Sequence, residues 1–198
     1  MNIEQSRLYN VAGLDATGKS TLAQELQKTF NGVMTYCPPD WMRPYRSFFN
    51  NSTVDLRFLY YALSNVWVDK AIVRPLLEKG GQYVFQDRTW LDTLSAHEDK
   101  GASPFWLHLG TKIARKASRP DIAFIIRVDN MVRRQRMMDR GATTPDDLTS
   151  LQNQPAMEQN YIRWADRLQW NAVIFDNTHF TPDQARDALA KQINERHP

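Results

Sequence analysis

The sequence predicts an α/β protein of three layers, in which a parallel sheet of about five strands has helices on both faces. Short apolar runs alternate with longer stretches of helical periodicity along the chain, which is the pattern of a parallel sheet. Residues 122–126 are entirely apolar and bounded by charges, as expected of a central strand. A glycine-bearing segment, residues 13–20, separates the first predicted strand from the first helix.

In the first half of the chain, the predicted strands cover residues 7–12, 33–36 and 83–85. Apolar residues at helical spacing predict one helix that starts at the glycine segment and runs to Phe30, and a second over residues 54–78. Gly32 follows the first helix and Gly80 the second, both as stop signals.

In the second half, helical stretches are predicted around residues 90–94, over 105–117, over 130–140 and over about 155–169. The strands are the central run and residues 173–175. A last helix should begin after Thr181, which is a suitable cap, with Pro182 in its first turn. In such a sheet, ligands gather at the carboxyl ends of the strands.

The glycine segment reads Gly-Leu-Asp-Ala-Thr-Gly-Lys-Ser and fits the phosphate-binding pattern G-x-x-x-x-G-K-[ST]. The two glycines let successive backbone N–H groups point at phosphate oxygens, Lys19 supplies a cation, and the Ser20 hydroxyl can enter a Mg²⁺ shell. The pattern predicts a P-loop NTPase fold with ATP and Mg²⁺ as cofactors. The predicted ATP contacts within it are Gly13, Ala16, Thr17, Gly18, Lys19, Ser20 and Thr21.

Length and composition favour one soluble domain over residues 1–198, since 42% of the residues are apolar. The single cysteine, Cys37, excludes an internal disulfide and favours a reducing cytosol. The first seven residues lack the apolar core of a signal peptide, and no apolar run is long enough to span a bilayer. We therefore expect a cytoplasmic protein that does not act at a membrane.

The net charge of +3 is unevenly distributed. Residues 112–140 hold nine Lys or Arg against three Asp, a net charge of +6, which leaves −3 for the rest of the chain. Such a segment suits an anion, either a triphosphate or a nucleic-acid backbone. A solvated basic face is the alternative interpretation for residues 112–119.

In the order of its strands and helices and in its motifs, the chain resembles the thymidylate kinase family of P-loop nucleoside monophosphate kinases. The resemblance is spread over most of the chain. It includes the acidic P-loop residue Asp15, the run Ile72-Val-Arg-Pro-Leu-Leu-Glu-Lys-Gly80, and the Asp87-Arg88 pair with the serine and alanine that follow. The pair Pro120-Asp121 before a strand, followed by Val128-Asp129, is similar to the segment that leads into the family's mobile lid.

The resemblance implies roles for the phosphate-binding residues. The lid, about residues 133–155, would close arginines over the transferring phosphate, with Arg133 as an ATP-binding residue and Arg136 and Arg140 as catalytic ones. The spacing independently places these three arginines on one helical face, where an anion would relieve their repulsion. Asp87 would reach Mg²⁺ through water, together with Ser20. Arg88 would clamp the phosphate between donor and acceptor.

The acceptor pocket departs from the family pattern. Asp15 would contact the sugar of the acceptor nucleotide, and Tyr61 falls where the family stacks an aromatic on the pyrimidine, although core packing is an equal alternative. Asn65 stands where the family usually has an arginine that reads thymine. The chain has no clear counterpart of the family loop that binds the acceptor phosphate. Arg43 or Arg46 is the candidate substitute.

The leading functional prediction is transfer of the γ-phosphate of ATP to a pyrimidine deoxynucleotide, dTMP or an analogue. The alternative is a kinase for a hydroxyl, on a deoxynucleoside or on a 5-hydroxymethylated pyrimidine in DNA. Asp40, at the end of the second strand, would then be the general base, and Trp41 and Trp106 would help to hold the DNA. A nucleotide-gated ATPase or regulator is the third, less favoured candidate. The expected partners are a nucleotide or nucleoside substrate, DNA in the alternative, and a second copy of the chain as a possible homodimer.

Overall fold

The computed structural model describes residues 5–141 and 145–196. The five predicted strands are present, as β1 (Arg7–Gly13), β2 (Val33–Tyr36), β3 (Tyr83–Asp87), β4 (Ile122–Arg127) and β5 (Ala172–Asp176). They form one sheet in the order β2-β3-β1-β4-β5, and every pair is parallel. The fold class predicted from the sequence is confirmed.

The helices are α1 (Lys19–Thr29), α2 (Arg46–Asn50), α3 (Val54–Val68), α4 (Arg74–Lys79), α5 (Trp90–Asp99), α6 (Pro104–Ala114), α7 (Asn130–Asp139), α8 (Pro145–Gln152), α9 (Gln154–Arg167) and α10 (Pro182–Arg196). A π-helical turn, Asp69–Val73, joins α3 to α4. The helix predicted over 54–78 is therefore present, but this turn interrupts it. A 3₁₀ helix, Asp40–Tyr45, precedes α2. The sequence pattern did not predict this segment, α2 or α8.

Two apolar layers enclose the sheet. On one face, α1 and α10 pack through Leu22, Leu26 and Leu189 against β-strand residues such as Tyr9 and Phe124. On the other face, α3, α5, α6 and α9 supply a second cluster that includes Phe58, Leu94 and Trp164. This is the three-layer arrangement that the alternation of strands and helices predicts.

The register of the central strands places the carboxyl ends of β1 and β3 side by side, near the start of α1. Val11 lies in register with Asp87, and Gly13 lies in register with Ile126. A Cβ atom at Gly13 would stand 2.3 Å from the carbonyl oxygen of Ile126, so only glycine lets the chain leave β1 here. Among the described residues, no helix is long and apolar enough to cross a membrane.

Candidate active site

The residues between β1 and α1 form a P-loop, as the octet predicts. Gly18 has φ +93° and Ala16 has φ +69°, both in the left-handed region, which a side-chain-bearing residue such as Ala16 occupies at a cost. The N–H of Leu22 closes the first turn of α1 on the carbonyl oxygen of Gly18. The start of α1 therefore directs its backbone N–H groups and its positive dipole end to the loop, an arrangement that suits a phosphate.

An ion cluster of Lys19, Asp15 and Arg88 crosses the loop. One carboxylate oxygen of Asp15 accepts from Nζ of Lys19 at 3.0 Å and from Arg88 at 2.7 Å. Burial alone would raise the pKa of Asp15, but these two cations hold it well below its usual range. Asp15 is therefore ionised at any physiological pH and makes a poor proton acceptor. Arg88 has φ +65°, a strained conformation of the kind that collects at functional sites.

Asp87 and Ser20 are placed to serve a phosphate-bound magnesium ion. Asp87 is buried at the end of β3, and its Oδ1 has no hydrogen-bond partner among the described residues. Ser20 is exposed in the first turn of α1. The described residues contain no cluster of three or more His, Cys, Asp or Glu that could hold a metal alone. A hydroxyl and one carboxylate nevertheless suit an ion whose other ligands are phosphate and water.

Asp92 is a second carboxylate at the P-loop, and the sequence analysis did not single it out. It caps α5 by accepting from the backbone N–H of Thr89 at 2.9 Å. Its other oxygen lies 3.4 Å from the N–H of Gly13 and 3.3 Å from the Tyr161 hydroxyl, which also reaches the carbonyl oxygen of Gly13. Burial raises the pKa of Asp92 to about 6. The capping pattern Thr-x-x-Asp was the available sequence signal, but contact with Gly13 is visible only in the fold.

Two openings flank the P-loop. We call the first the outer cleft; it is lined by Gly18, Thr21, Arg136, Arg140, Asn177 and Phe180. The second, the inner pocket, is lined by Asp15 and Arg88, by Arg46, Arg57 and Tyr61, by Asp92, Thr93, His97 and Lys100, and by Arg133, Ser150 and Tyr161. The P-loop therefore separates two spaces, as a two-substrate reaction requires.

The three arginines predicted for the lid, Arg133 and Arg136 on α7 and Arg140 just after it, have different environments. Arg136 donates to the carbonyl oxygens of Thr17 and Asn177 at 3.2 and 3.3 Å and lines the outer cleft together with the exposed Arg140. Arg133 is 0% exposed. It donates to the Asp15 carbonyl at 2.8 Å and to Ser150 and Gln154. Arg133 thus ties the P-loop to α8 and α9 from the inner side.

The segment predicted as the lid, residues 133–155, is helical in α7, α8 and the start of α9. Residues 142–144 of that range lie outside the described residues. Asn177 was not predicted from the sequence; its amide donates to the Thr17 carbonyl at 2.9 Å and supports the P-loop from the end of β5.

Three residues predicted for the acceptor side are not brought to the inner pocket. The side chain of Asp40 is 90% exposed and pairs with Arg43 at 3.1 Å, and the Arg43 guanidinium lies over the Tyr36 ring. Asn65 is buried, and its amide group donates to the Tyr61 carbonyl and to the Thr93 hydroxyl. Asp40 and Arg43 belong to the unpredicted 3₁₀ helix, which turns them to solvent.

Other cations line the inner pocket instead. Arg46 follows the 3₁₀ helix and donates to the Tyr61 hydroxyl at 3.3 Å, so Tyr61 lies in the pocket wall as predicted. Arg57 on α3 and Lys100 at the end of α5 also line the pocket, and neither was predicted. Their positions follow from the packing of α3 on α5, for which the sequence offers no local signal.

The basic segment 112–119 lies elsewhere. Lys112 and Arg115 line a groove with Glu98 and Arg167 that shares no lining residue with the inner pocket. Arg115 donates to the Arg167 carbonyl at 2.9 Å. Of the two tryptophans predicted to be exposed, Trp41 is exposed and Trp106 is half-buried against the second core cluster.

Two solved thymidylate kinases share this architecture over nearly the whole chain. Thymidylate kinase from Candida albicans matches with a TM-score of 0.71 and 17% identity, over 97% of this chain and 92% of that one. Thymidylate kinase from Ehrlichia chaffeensis matches with a TM-score of 0.68 and 16% identity, over 96% of this chain and 99% of that one. No family model matches the chain. Identities at this level establish a common fold, and the function has to be argued from the site.

Proposed function

We propose that this protein is an ATP-dependent phosphotransferase that moves the γ-phosphate to a pyrimidine deoxynucleotide, dTMP or a close analogue. The observation on which this rests is the single P-loop with an opening on each side and the ion cluster of Lys19, Asp15 and Arg88 between them. ATP would enter through the outer cleft and the acceptor would bind in the inner pocket.

The residues at the P-loop fit transfer between two phosphates. Phosphate attacks phosphate, so positioning and charge neutralisation supply the rate and no strong base is required. Lys19 and Arg88 would hold the oxygens of the transferring group, and Arg136 would add charge from the lid side. Magnesium, held by Ser20 and through water by Asp87, would neutralise the phosphate oxygens.

The charges of the inner pocket favour an anionic acceptor. Arg46, Arg57, Arg88, Lys100 and Arg133 line it, against Asp15, Asp92 and Asp147, so five cations and three carboxylates face the space on the acceptor side. A monophosphate would offset this excess of positive charge, and it offers oxygens that arginine can bind with two parallel hydrogen bonds. Tyr61 offers a ring for the base.

An acceptor panel tests the proposal. The protein is incubated with γ-labelled ATP and dTMP, dUMP, dCMP, thymidine, 5-hydroxymethyl-deoxyuridine or DNA that contains this base, and the labelled product is identified. We expect label in a diphosphate product. ATP hydrolysis without a labelled acceptor would instead support the nucleotide-gated ATPase.

One observation favours a second candidate, the kinase for a hydroxyl acceptor. Asp92 is a buried carboxylate beside Gly13 that also lines the inner pocket, and burial raises its pKa to about 6, a suitable value for a general base. It would replace Asp40, which lies outside the pocket. Exposed Trp41 and Phe48 flank Arg46 in the chain, which suits a nucleic-acid acceptor.

Asp92→Asn separates the two candidates. If the acceptor is a hydroxyl, kcat should fall by about a hundredfold to ten-thousandfold, the usual range for a lost general base. With a monophosphate acceptor, kcat should change much less, because no base is needed. Asp40→Asn is the control, and it should leave both activities near wild type. A steep fall of activity with salt would mark DNA as the acceptor.

A further inference from the structure

His97 is a buried histidine in the wall of the inner pocket with one ring nitrogen unpartnered. It lies on α5 and is 3% exposed. Its ring meets those of Phe58 and Tyr61 at centroid distances of 5.5 and 5.6 Å. Nδ1 lies 2.7 Å from the Thr93 carbonyl oxygen, whereas Nε2 is buried and has no hydrogen-bond partner among the described residues.

The contact with Thr93 fixes the tautomer of His97. A carbonyl oxygen only accepts, so Nδ1 must hold the hydrogen and Nε2 must present its lone pair. Burial lowers the pKa of His97 to about 4; the bond to Thr93 opposes this shift, and the positive charges of Arg57 and Lys100 add to it. The ring is therefore neutral at physiological pH, and Nε2 can only accept a hydrogen bond.

Several polar groups near His97 are donors or are already paired. Arg57 and Lys100 are donors without acceptor capacity. The Tyr61 hydroxyl donates to Asn50 at 3.0 Å and accepts from Arg46. Asn65, the residue that the sequence suggested for reading the base, uses its amide nitrogen on Tyr61 and Thr93; its Oδ1 has no partner among the described residues, but Asn65 does not line the pocket. Nε2 of His97 is thus an unpartnered neutral acceptor in the pocket wall, suited to a donor on a ligand.

We propose that Nε2 of His97 accepts a hydrogen bond from the base of the acceptor and makes the pocket select a pyrimidine with an N–H donor at that edge. The inference rests on the proposed function, since it assumes that a pyrimidine enters the inner pocket. Uracil and thymine carry a hydrogen on N3. Cytosine has a bare N3, whose lone pair would oppose that of Nε2. His97 would therefore determine specificity for uracil- and thymine-type acceptors.

Binding and NMR measurements on the whole protein test this proposal. Affinities for dUMP and dCMP are measured by calorimetry, without ATP, for the wild type, His97→Phe and His97→Gln. Phenylalanine removes the acceptor atom, and the side-chain oxygen of glutamine can restore it. His108→Phe, on the exposed face of α6, is the matched control. In parallel, the wild type with ¹⁵N-labelled histidine is titrated with each nucleotide, and His97→Phe assigns the His97 signals by their loss.

We expect the wild type to bind dUMP about tenfold to a hundredfold more tightly than dCMP, the range that corresponds to one unsatisfied buried hydrogen bond. His97→Phe should bring this ratio close to one, whereas His97→Gln and His108→Phe should largely keep it. The Nε2 resonance should move on addition of dUMP and stay in place with dCMP. If His97→Phe fails to fold, loss of the same signals in His97→Gln assigns them, and the wild-type titration remains decisive.

The outcomes distinguish this inference from the proposed function. Selective binding of dUMP without phosphoryl transfer would support the role of His97 and contradict the proposed function. Transfer to dUMP and dCMP at similar kcat/KM, with an unmoved Nε2 signal, would overturn the role of His97 and leave the proposed function standing. If neither nucleotide binds, both are overturned.

Discussion

The outer cleft and the inner pocket lie on two sides of one P-loop, but they are built in different ways. The outer cleft is lined by residues of the loop and the start of α1, by Arg136 on α7 and Arg140 just after it, and by Asn177 and Phe180 after β5. The inner pocket is lined by residues from the P-loop and from α2, α3, α5, α7, α8 and α9. The first depends on backbone geometry, and the second depends on how distant helices pack.

The two ligands of the proposed reaction would account for this difference. A triphosphate is gripped by N–H groups and a helix dipole, which a short motif can provide. An acceptor has to be distinguished from similar molecules, which takes donors and acceptors at defined positions. The inner pocket contains such groups, including Asp92 and His97, whose charge states are set by burial. Substitutions on the two sides should therefore have different consequences.

The largest effect is expected at the loop that both sides share. Lys19→Ala should lower kcat by about a thousandfold or more with every acceptor, because the cation that neutralises the transferring phosphate is lost. Lys28→Ala is the control on the same helix, since Lys28 is exposed and pairs with Glu25 at the surface. Circular dichroism should show both variants folded. Transfer by Lys19→Ala at a near wild-type rate would contradict the P-loop assignment.

The raised pKa of Asp92, in the inner pocket, can be tested through the pH dependence of the unfolding free energy. The pKa of Asp92 is raised from its ordinary 3.8 to about 6 by burial, so the folded state binds its proton more tightly than the unfolded state does. Relative to Asp92→Asn, the wild type should gain about 2 kcal/mol of unfolding free energy as the pH falls from about 7.5 to about 4.5.

Urea unfolding of both proteins across that range measures this gain. Asp15, whose lowered pKa favours the folded state at neutral pH, is present in both and largely cancels from the difference. A difference that stays constant with pH would show that burial does not raise the pKa of Asp92.

The outer cleft is tested at Arg136. Arg136→Ala should lower kcat by about tenfold to a hundredfold and raise the KM for ATP by less, because its charge should meet the transition state better than the ground state. Arg140→Ala should act in the same direction and more weakly, since Arg140 is exposed. Arg134, exposed on the same helix and absent from the cleft lining, is the control. A change confined to KM would make Arg136 an ordinary ATP-binding residue.

The same contrast explains what the sequence could and could not predict. The five strands and the P-loop depend on local patterns, namely apolar runs, glycine spacing and helix stop signals, and these were predicted. The arginine spacing was also local and predicted one shared face for Arg133, Arg136 and Arg140, whereas the structure places Arg133 at the inner pocket and the other two at the outer cleft. The spacing did not show that Arg133 would be buried, because this depends on Ser150 and Gln154 of the following helices.

The inner pocket was predicted less well, because its residues meet only after folding. Tyr61 lines the inner pocket, but Asn65, one turn later, faces Thr93 of α5. Tyr161 reaches Gly13 across 148 positions of the chain, and no periodicity signals such a contact. Asp40 followed a strand and a proline pair and seemed suited to the site, yet the short helix that starts there points it to solvent.

The smallest expected effect separates two arginines that the sequence treats alike. Arg43 and Arg46 lie three positions apart, but only Arg46 lines the inner pocket, together with Arg57 of α3. If these two hold an anionic acceptor, Arg46→Ala and Arg57→Ala should each raise the acceptor KM by about tenfold, the loss of one charge-assisted contact, with the KM for ATP unchanged. Arg43 pairs with Asp40 and covers Tyr36, so Arg43→Ala should change neither KM by more than about twofold, as expected for an exposed pair.

Steady-state kinetics, with ATP and the acceptor varied in turn, measures both KM values for the three variants. An acceptor effect of Arg43→Ala as large as that of Arg57→Ala would show that the 3₁₀ segment closes on the pocket during catalysis, and that the inner side is not preformed.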